Sequence, residues 1–89
     1  MEDADEVLVR VGRRIGELRE SDGLTQAEVA EMLAMTTSNY QRIEHGLQNL
    51  SVRTMVRVAG ALGVPVAKLF EATTTRRRGR GRPKSKSGG

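Results

Sequence analysis

The sequence predicts an all-α domain of five short helices followed by a basic tail. Apolar residues recur at helical spacing, and Ser, Thr, Gly and Pro stand where helices begin and end. No segment alternates apolar and polar residues over a useful length, so no sheet is expected. The 89 residues suffice for one small domain with a thin core.

The first helix is expected over residues 5–20, where five apolar residues share one face: Val7, Leu8, Val11, Ile15 and Leu18. Gly12 and Gly16 each weaken this helix by up to ~1 kcal/mol relative to Ala. They also leave one side narrow, so that another helix can pack closely there. The run Ser21-Asp22-Gly23 is a stop signal.

The second and third helices are separated by a three-residue break. Thr25 is a predicted N-cap, and Glu28 three residues later completes a capping box for a helix over 26–33. Thr36 is expected to cap a third helix over 37–45, which stops at Gly46 because glycine accepts a left-handed backbone.

The remaining helices are shorter. Ser51 is expected to cap a fourth helix over 52–62, which Gly63 ends. Pro65 is tolerated in a first turn and opens a fifth helix over 66–71.

Charge divides the chain unevenly. Residues 1–71 carry all 11 acidic and 8 of the 15 basic residues, a net charge of −3, whereas residues 72–89 carry +7. We therefore expect an acidic segment at 1–6, a folded domain at 7–71 and a disordered basic tail at 72–89, which suits a polyanionic partner.

Several classes of protein are excluded by what the sequence lacks. It has no cysteine and one histidine, so we expect no disulfide and no metal site. It shows no nucleophile–base constellation and no phosphate-cradling loop, so we expect neither an enzyme nor a cofactor. The acidic N-terminus and the missing apolar run predict a cytoplasmic, nucleoid-associated protein that does not cross a membrane.

Two short helices joined by a three-residue break form a helix-turn-helix. The residues Leu24-Thr25-Gln26-Ala27-Glu28-Val29-Ala30, followed by Ile43-Glu44-His45-Gly46, resemble the phage Cro/repressor-type (XRE-like) family of transcriptional regulators. The resemblance covers residues 7–71 and implies a lambda-repressor-like DNA-binding domain. It also implies that Arg19 forms an ion pair with Glu44. The family often has glycine in the turn where this chain has Ala34.

The third helix is expected to enter the major groove. Its first exposed residues face base edges: Thr37, Ser38, Asn39, Gln41 and Arg42. The resemblance maps base reading onto Thr37, Ser38 and Arg42, and Arg42 can bridge guanine O6 and N7 or contact phosphate instead. Tyr40 is expected to be a half-buried ring. Phosphate contacts are expected from Thr25, Gln26, Asn49 and Arg53.

The tail resembles an AT-hook, a minor-groove peptide. Its expected contacts are Arg78, Arg80, Gly81, Arg82, Pro83 and Lys84. A narrow A·T minor groove attracts arginine, and Gly81 lets the backbone approach the groove floor. A generic basic tail on phosphates, or a contact with an acidic protein or with the acidic N-terminus, remains open.

We therefore expect a sequence-specific transcriptional regulator that binds double-stranded DNA as a homodimer. The dimer surface is expected from the fourth helix, the next loop and the fifth helix. Val56, Val64, Val66, Leu69 and Phe70 exceed what a five-helix core needs, although some of them, notably Leu69, are expected to close the core instead. An architectural A·T-preferring DNA binder and a helix-turn-helix protein-interaction module remain alternatives.

Overall fold

The computed structural model describes residues 1–72, and the contacts expected from Arg78 to Lys84 lie outside them. Four α-helices follow in order: α1 (Ala4–Ser21), α2 (Gln26–Met32), α3 (Thr37–Glu44) and α4 (Val52–Leu62). A short 3₁₀ helix, Val66–Phe70, closes this part of the chain. The all-α class is confirmed, with no strand among the described residues.

The prediction of a fifth α-helix is wrong. The segment Val66–Phe70 is a 3₁₀ helix, in which the Lys68 N–H bonds to the Pro65 carbonyl three residues earlier, at 3.0 Å. The chain is extended at both Pro65 and Glu71, so only five residues are left for this element. Segments of that length commonly adopt the tighter 3₁₀ winding.

The helix starts follow the predicted caps. The Thr25 hydroxyl accepts a bond from the Glu28 N–H at 3.0 Å, and the Glu28 carboxylate accepts one from the Thr25 N–H at 2.8 Å, so the capping box is confirmed. Thr36 and Ser51 cap α3 and α4 in the same way. Asp3 caps α1, which therefore begins one residue earlier than expected.

The turn between α2 and α3 contains a strained backbone. Ala34 has a φ of +56°, in the left-handed region that a side chain disfavours. This is the position where glycine is common in the resembling family. The chain still makes the turn, and the Met35 N–H bonds to the Ala30 carbonyl at 3.0 Å.

All four α-helices and the 3₁₀ helix contribute buried side chains to one apolar core. The fully buried side chains with the largest volumes are Tyr40, Ile15, Ile43, Leu69, Val29 and Val58. Val29 on α2 and Ile43 on α3 both belong to this core, and so does Leu69 of the 3₁₀ helix. Ala30 is also buried, at 2% exposure, where α2 meets its neighbours.

The end of α3 lies directly on α1 because α1 carries glycine there. A Cβ placed on Gly12 would lie 2.4 Å from the Ile43 carbonyl oxygen, and one on Gly16 would lie 3.3 Å from Glu44 Oε1. The narrow face expected on the first helix is therefore confirmed. The two glycines therefore allow α3 to pack close to α1.

Arg14 fastens the 3₁₀ helix to α1. Its Nε donates to the Lys68 carbonyl at 3.1 Å, and its two Nη atoms reach Glu17 and Glu71. Only 13% of the Arg14 side chain is exposed, so this arginine is not part of a solvated helix face. No helix within residues 1–72 is long and apolar enough to cross a membrane.

Candidate nucleic-acid interface

One edge of α3 is open to solvent and polar. All five side chains that were predicted to read bases lie there and are exposed: Thr37, Ser38, Asn39, Gln41 and Arg42. Tyr40 and Ile43 face the opposite way into the core, at 0% and 1% exposure. The helix therefore offers short polar groups at its start and longer ones a turn later.

A nearly buried ion pair holds the end of α3 to α1. Arg19 Nε donates to Glu44 Oε2 at 2.6 Å, and Arg19 Nη2 lies 3.3 Å from Glu44 Oε1. Only 12% of the Arg19 side chain and 8% of the Glu44 side chain are exposed. Arg19 Nη1 also donates to the Leu24 carbonyl at 2.8 Å, which ties the pair to the loop before α2.

The pair is charged, and its neighbours keep it so. Burial alone raises the pKa of Glu44, but the hydrogen bonds that Arg19 and Gln26 donate outweigh burial, and the pKa lies below its ordinary value. The bond to Glu44 raises the pKa of Arg19. Both partners therefore stay ionised near neutral pH.

Tyr40 is fully buried, so the prediction of a half-buried ring is wrong. Tyr40 lies on the buried side of α3 with Ile43, and its exposure is 0%. Burial and the neighbouring Glu44 carboxylate raise the pKa of the Tyr40 hydroxyl, which stays protonated. Within the described part of the chain that hydroxyl has no hydrogen-bond partner, and it cannot reach a phosphate.

Gln26 connects the ion pair to the open edge of α3. Its Nε2 donates to Glu44 Oε1 at 2.9 Å, and its Oε1 accepts a bond from Gln41 Nε2 at 3.0 Å. The Gln26 side chain is therefore engaged inside the motif, and the phosphate contact predicted for Gln26 depends on its main-chain N–H. Sequence reasoning missed this link because glutamines fifteen residues apart give no local signal.

Arg42 lies against the loop that follows α3. Its Nε donates to Gln48 Oε1 at 3.2 Å, and its Nη2 donates to the Leu47 carbonyl at 3.1 Å. Both bonds are exposed to solvent. The guanidinium can therefore exchange them for a base or a phosphate at small cost.

At the start of α2, two backbone N–H groups are available to donate a hydrogen bond to a phosphate. The capping box uses the N–H groups of Thr25 and Glu28. The N–H groups of Gln26 and Ala27 have no intrahelical acceptor, as in the first turn of any α-helix. Of the two predicted phosphate contacts, Gln26 keeps a free main-chain donor, and Thr25 keeps only its hydroxyl proton.

The structure does not bring the other two predicted phosphate contacts to α3. Asn49 is exposed in the loop before α4 and lines a recess with Leu50, Met55 and Phe70. Arg53 is exposed in the first turn of α4. Within residues 1–72, neither side chain is hydrogen-bonded to α3.

An arginine that sequence reasoning did not single out braces the motif from outside. Arg57 on α4 donates from Nη2 to the Leu33 carbonyl at the end of α2. This contact sits one residue before the strained Ala34 turn. Among the described residues there is no group of three or more His, Asp or Glu side chains that could hold a metal ion.

The geometry is that of a helix-turn-helix DNA-binding domain, and comparison with known proteins gives the family. The helix-turn-helix family pattern matches residues 15–69, so the chain belongs to the XRE-type helix-turn-helix family. The match includes all of α2, α3 and α4.

Relatives with curated functions match over most of this chain. The immunity repressor protein of Bacillus phage phi105 is 38% identical over 64 residues, which cover 72% of this chain and 44% of the repressor. The HTH-type transcriptional regulator RamB of Mycobacterium tuberculosis is 33% identical over 66 residues, covering 74% of this chain and 14% of the regulator. The chain thus spans a minor part of either relative.

A solved structure matches over its whole length. The restriction-modification controller protein C.AhdI from Aeromonas hydrophila superposes with a TM-score of 0.73 at 32% identity. The superposition covers 78% of this chain and 100% of the controller protein. The similarity therefore extends beyond the two-helix motif to the domain as a whole.

Proposed function

We propose that this chain is a sequence-specific DNA-binding transcriptional regulator whose α3 enters the major groove. The observation that carries the proposal is the open polar edge of α3, which the buried Tyr40 and Ile43 hold in place. The named roles of the relatives, an immunity repressor, a transcriptional regulator and a restriction-modification controller, support it.

In this proposal Thr37, Ser38 and Arg42 read base edges, with Asn39 and Gln41 beside them. Arg42 must first leave Leu47 and Gln48, and exchanging such solvent-exposed bonds costs about 1 kcal/mol each at most. A bidentate contact with guanine O6 and N7 gives about 1–3 kcal/mol of discrimination. The free energy of a bidentate contact with guanine, or of a charge-assisted contact with phosphate, is therefore enough to replace the two bonds that Arg42 gives up.

The backbone contacts are proposed at both ends of the motif. The Gln26 N–H and the Thr25 hydroxyl approach one phosphate at the start of α2. Asn49 is exposed in the loop before α4, and Arg53 is exposed in the first turn of α4. Both side chains approach a second phosphate. Because residues 1–71 carry a net charge of −3, these local contacts work against the charge of the domain.

The basic tail offsets that charge. Residues 72–89 carry +7, and we propose that Arg80 and Arg82 lie in an A·T-rich minor groove next to the site read by α3. Each neutralised phosphate adds about −0.9 to the slope of log affinity against log salt. Deleting residues 76–89 should flatten that slope and keep the preferred site.

We propose a homodimer on DNA, because one recognition helix reads only a few base pairs. Val56 and Phe70 are 52% and 53% exposed, which suits an intermolecular contact. Val64 and Val66 are half-buried against the core. Leu69 is fully buried, so it cannot contribute to a dimer surface.

A competition experiment tests the proposed function. The full chain is titrated with its selected duplex and with a scrambled duplex of the same base composition, at several salt concentrations. The regulator predicts at least about 10³-fold tighter binding to the selected duplex. Equal affinity for both duplexes contradicts it and favours an architectural A·T binder. An Arg42→Ala variant should weaken specific binding about 5- to 100-fold and relax choice at one base pair.

A further inference from the structure

A chain of hydrogen bonds runs from the buried ion pair to the exposed edge of α3. Arg19 on α1 holds Glu44 at 2.6 Å, and Glu44 accepts a bond from Gln26 on α2 at 2.9 Å. Gln26 in turn accepts a bond from Gln41 at 3.0 Å. We name this series, Arg19–Glu44–Gln26–Gln41, the glutamine relay.

Each bond in the glutamine relay has one permitted direction. An ionised carboxylate can only accept, so Gln26 must turn its NH₂ group toward Glu44. The carbonyl oxygen of Gln26 then occupies the other side of its amide. That oxygen can only accept as well, so Gln41 must turn its own NH₂ group inward.

The hydrogen-bonding capacity left on Gln41 follows from this direction. Gln41 is exposed, and within residues 1–72 its Oε1 accepts no hydrogen bond. One N–H of its amide is used by Gln26, and one N–H and the oxygen remain. A donor next to an acceptor matches adenine, which shows an N6 donor and an N7 acceptor in the major groove. Guanine shows two acceptors there, O6 and N7.

We propose that Glu44, acting through Gln26, is a positioning residue that commits Gln41 to reading adenine and rejecting guanine. To favour guanine, Gln41 would have to turn its oxygen inward against the oxygen of Gln26. Gln26 can avoid that contact only by turning its own oxygen against the Glu44 carboxylate. The inference rests on the proposed function, because it takes α3 to lie in the major groove.

The test uses Gln26→Met, Gln41→Ala and the double variant in the full chain. Met is unbranched and similar in length to Gln, and Arg19 makes its own two hydrogen bonds to Glu44. Unfolding midpoints in urea verify that each variant is folded. The base pair read by Gln41 is the one at which Gln41→Ala loses preference. Competition binding then gives the adenine-to-guanine ratio at that pair.

The wild-type chain should prefer adenine by about tenfold or more, in keeping with one bidentate contact. Gln26→Met should lower that ratio to about twofold or less. In the Gln41→Ala background, Gln26→Met should leave base preference at that pair unchanged. This pattern requires Gln26 to act through Gln41, which a merely structural residue would not produce.

Three results overturn the relay. In the first, the adenine-to-guanine ratio of Gln26→Met stays at its wild-type value. In the second, Gln26→Met weakens binding to all sequences equally, as loss of a phosphate contact would. In the third, Gln41→Ala alters base preference at no base pair. A wild-type chain without base preference anywhere refutes the proposed function itself, so the two failures are distinguishable.

Discussion

Removing Arg19 should be among the most damaging single changes to this domain. Arg19→Met leaves the Glu44 carboxylate, 8% exposed, without its cationic partner, although the Gln26 amide still donates to it. Breaking a buried pair by removing one partner costs about 3–5 kcal/mol. Small domains unfold with roughly 5–15 kcal/mol in total, so the variant should lose a large share of its stability.

Urea denaturation followed by circular dichroism measures the effect, and the chain supplies a matched control. The Arg10–Glu2 pair is also an arginine–glutamate ion pair, at 3.2 Å, but 56% and 72% of its side chains are exposed. Arg10→Met should therefore cost about 1 kcal/mol or less. The double variant Arg19→Met/Glu44→Leu should regain much of the loss, because no unpaired charge remains. If Arg19→Met costs no more than Arg10→Met, the energetic role assigned to the ion pair is wrong.

The remaining predictions concern pH and backbone geometry. Because the folded state lowers the pKa of Glu44, its stabilisation is complete above 4.5, the unfolded value, and is lost as pH falls through the folded pKa. Glu44→Gln should therefore reduce the acid dependence of the unfolding free energy. Gly60→Ala should stabilise α4 by up to about 1 kcal/mol, since nothing lies within 4 Å of the added Cβ. Gly12→Ala should instead destabilise, because its Cβ would lie 2.4 Å from an α3 carbonyl. Ala34→Gly removes about 1–2 kcal/mol of left-handed strain. The greater chain entropy that glycine loses on folding costs roughly 0.5–1 kcal/mol, so the net gain in stability is up to about 1.5 kcal/mol.

Each of these predictions is checked by the same unfolding measurements. An unchanged pH profile in Glu44→Gln would contradict the lowered pKa of Glu44. Equal effects of alanine at Gly12 and Gly60 would mean that the close approach of α3 to α1 does not exist. A less stable Ala34→Gly variant would show that the turn is not strained at that residue.

Local signals predicted the framework of the fold. Thr25 and Glu28 could be assigned because a capping box depends on residues three apart. Gly46 could be assigned as the stop of the third helix because glycine tolerates a left-handed backbone, and the φ of Gly46 is +72°. The 3₁₀ winding of Val66–Phe70 could not be predicted, because α and 3₁₀ helices share the same apolar spacing over five residues.

The arrangement of the site depended on contacts between distant residues. The Arg19–Glu44 pair was available only through family resemblance, since the two lie 25 residues apart. Arg14 contacts Lys68 across 54 residues, and nothing in the local pattern distinguishes it from a solvated arginine. The full burial of Tyr40 likewise depends on how the helices pack, so the family resemblance placed its ring on the inner side without fixing its depth.

Selection of bound duplexes from a random DNA pool tests most directly whether α3 reads base sequence. With the full chain, we expect enrichment of an inverted repeat whose half-sites lie about 34 Å, one helical turn, apart. The same selection with Arg42→Ala should lose one position of each half-site. Enrichment of A·T-rich sequences with no repeat, unchanged in Arg42→Ala, would contradict base reading by α3.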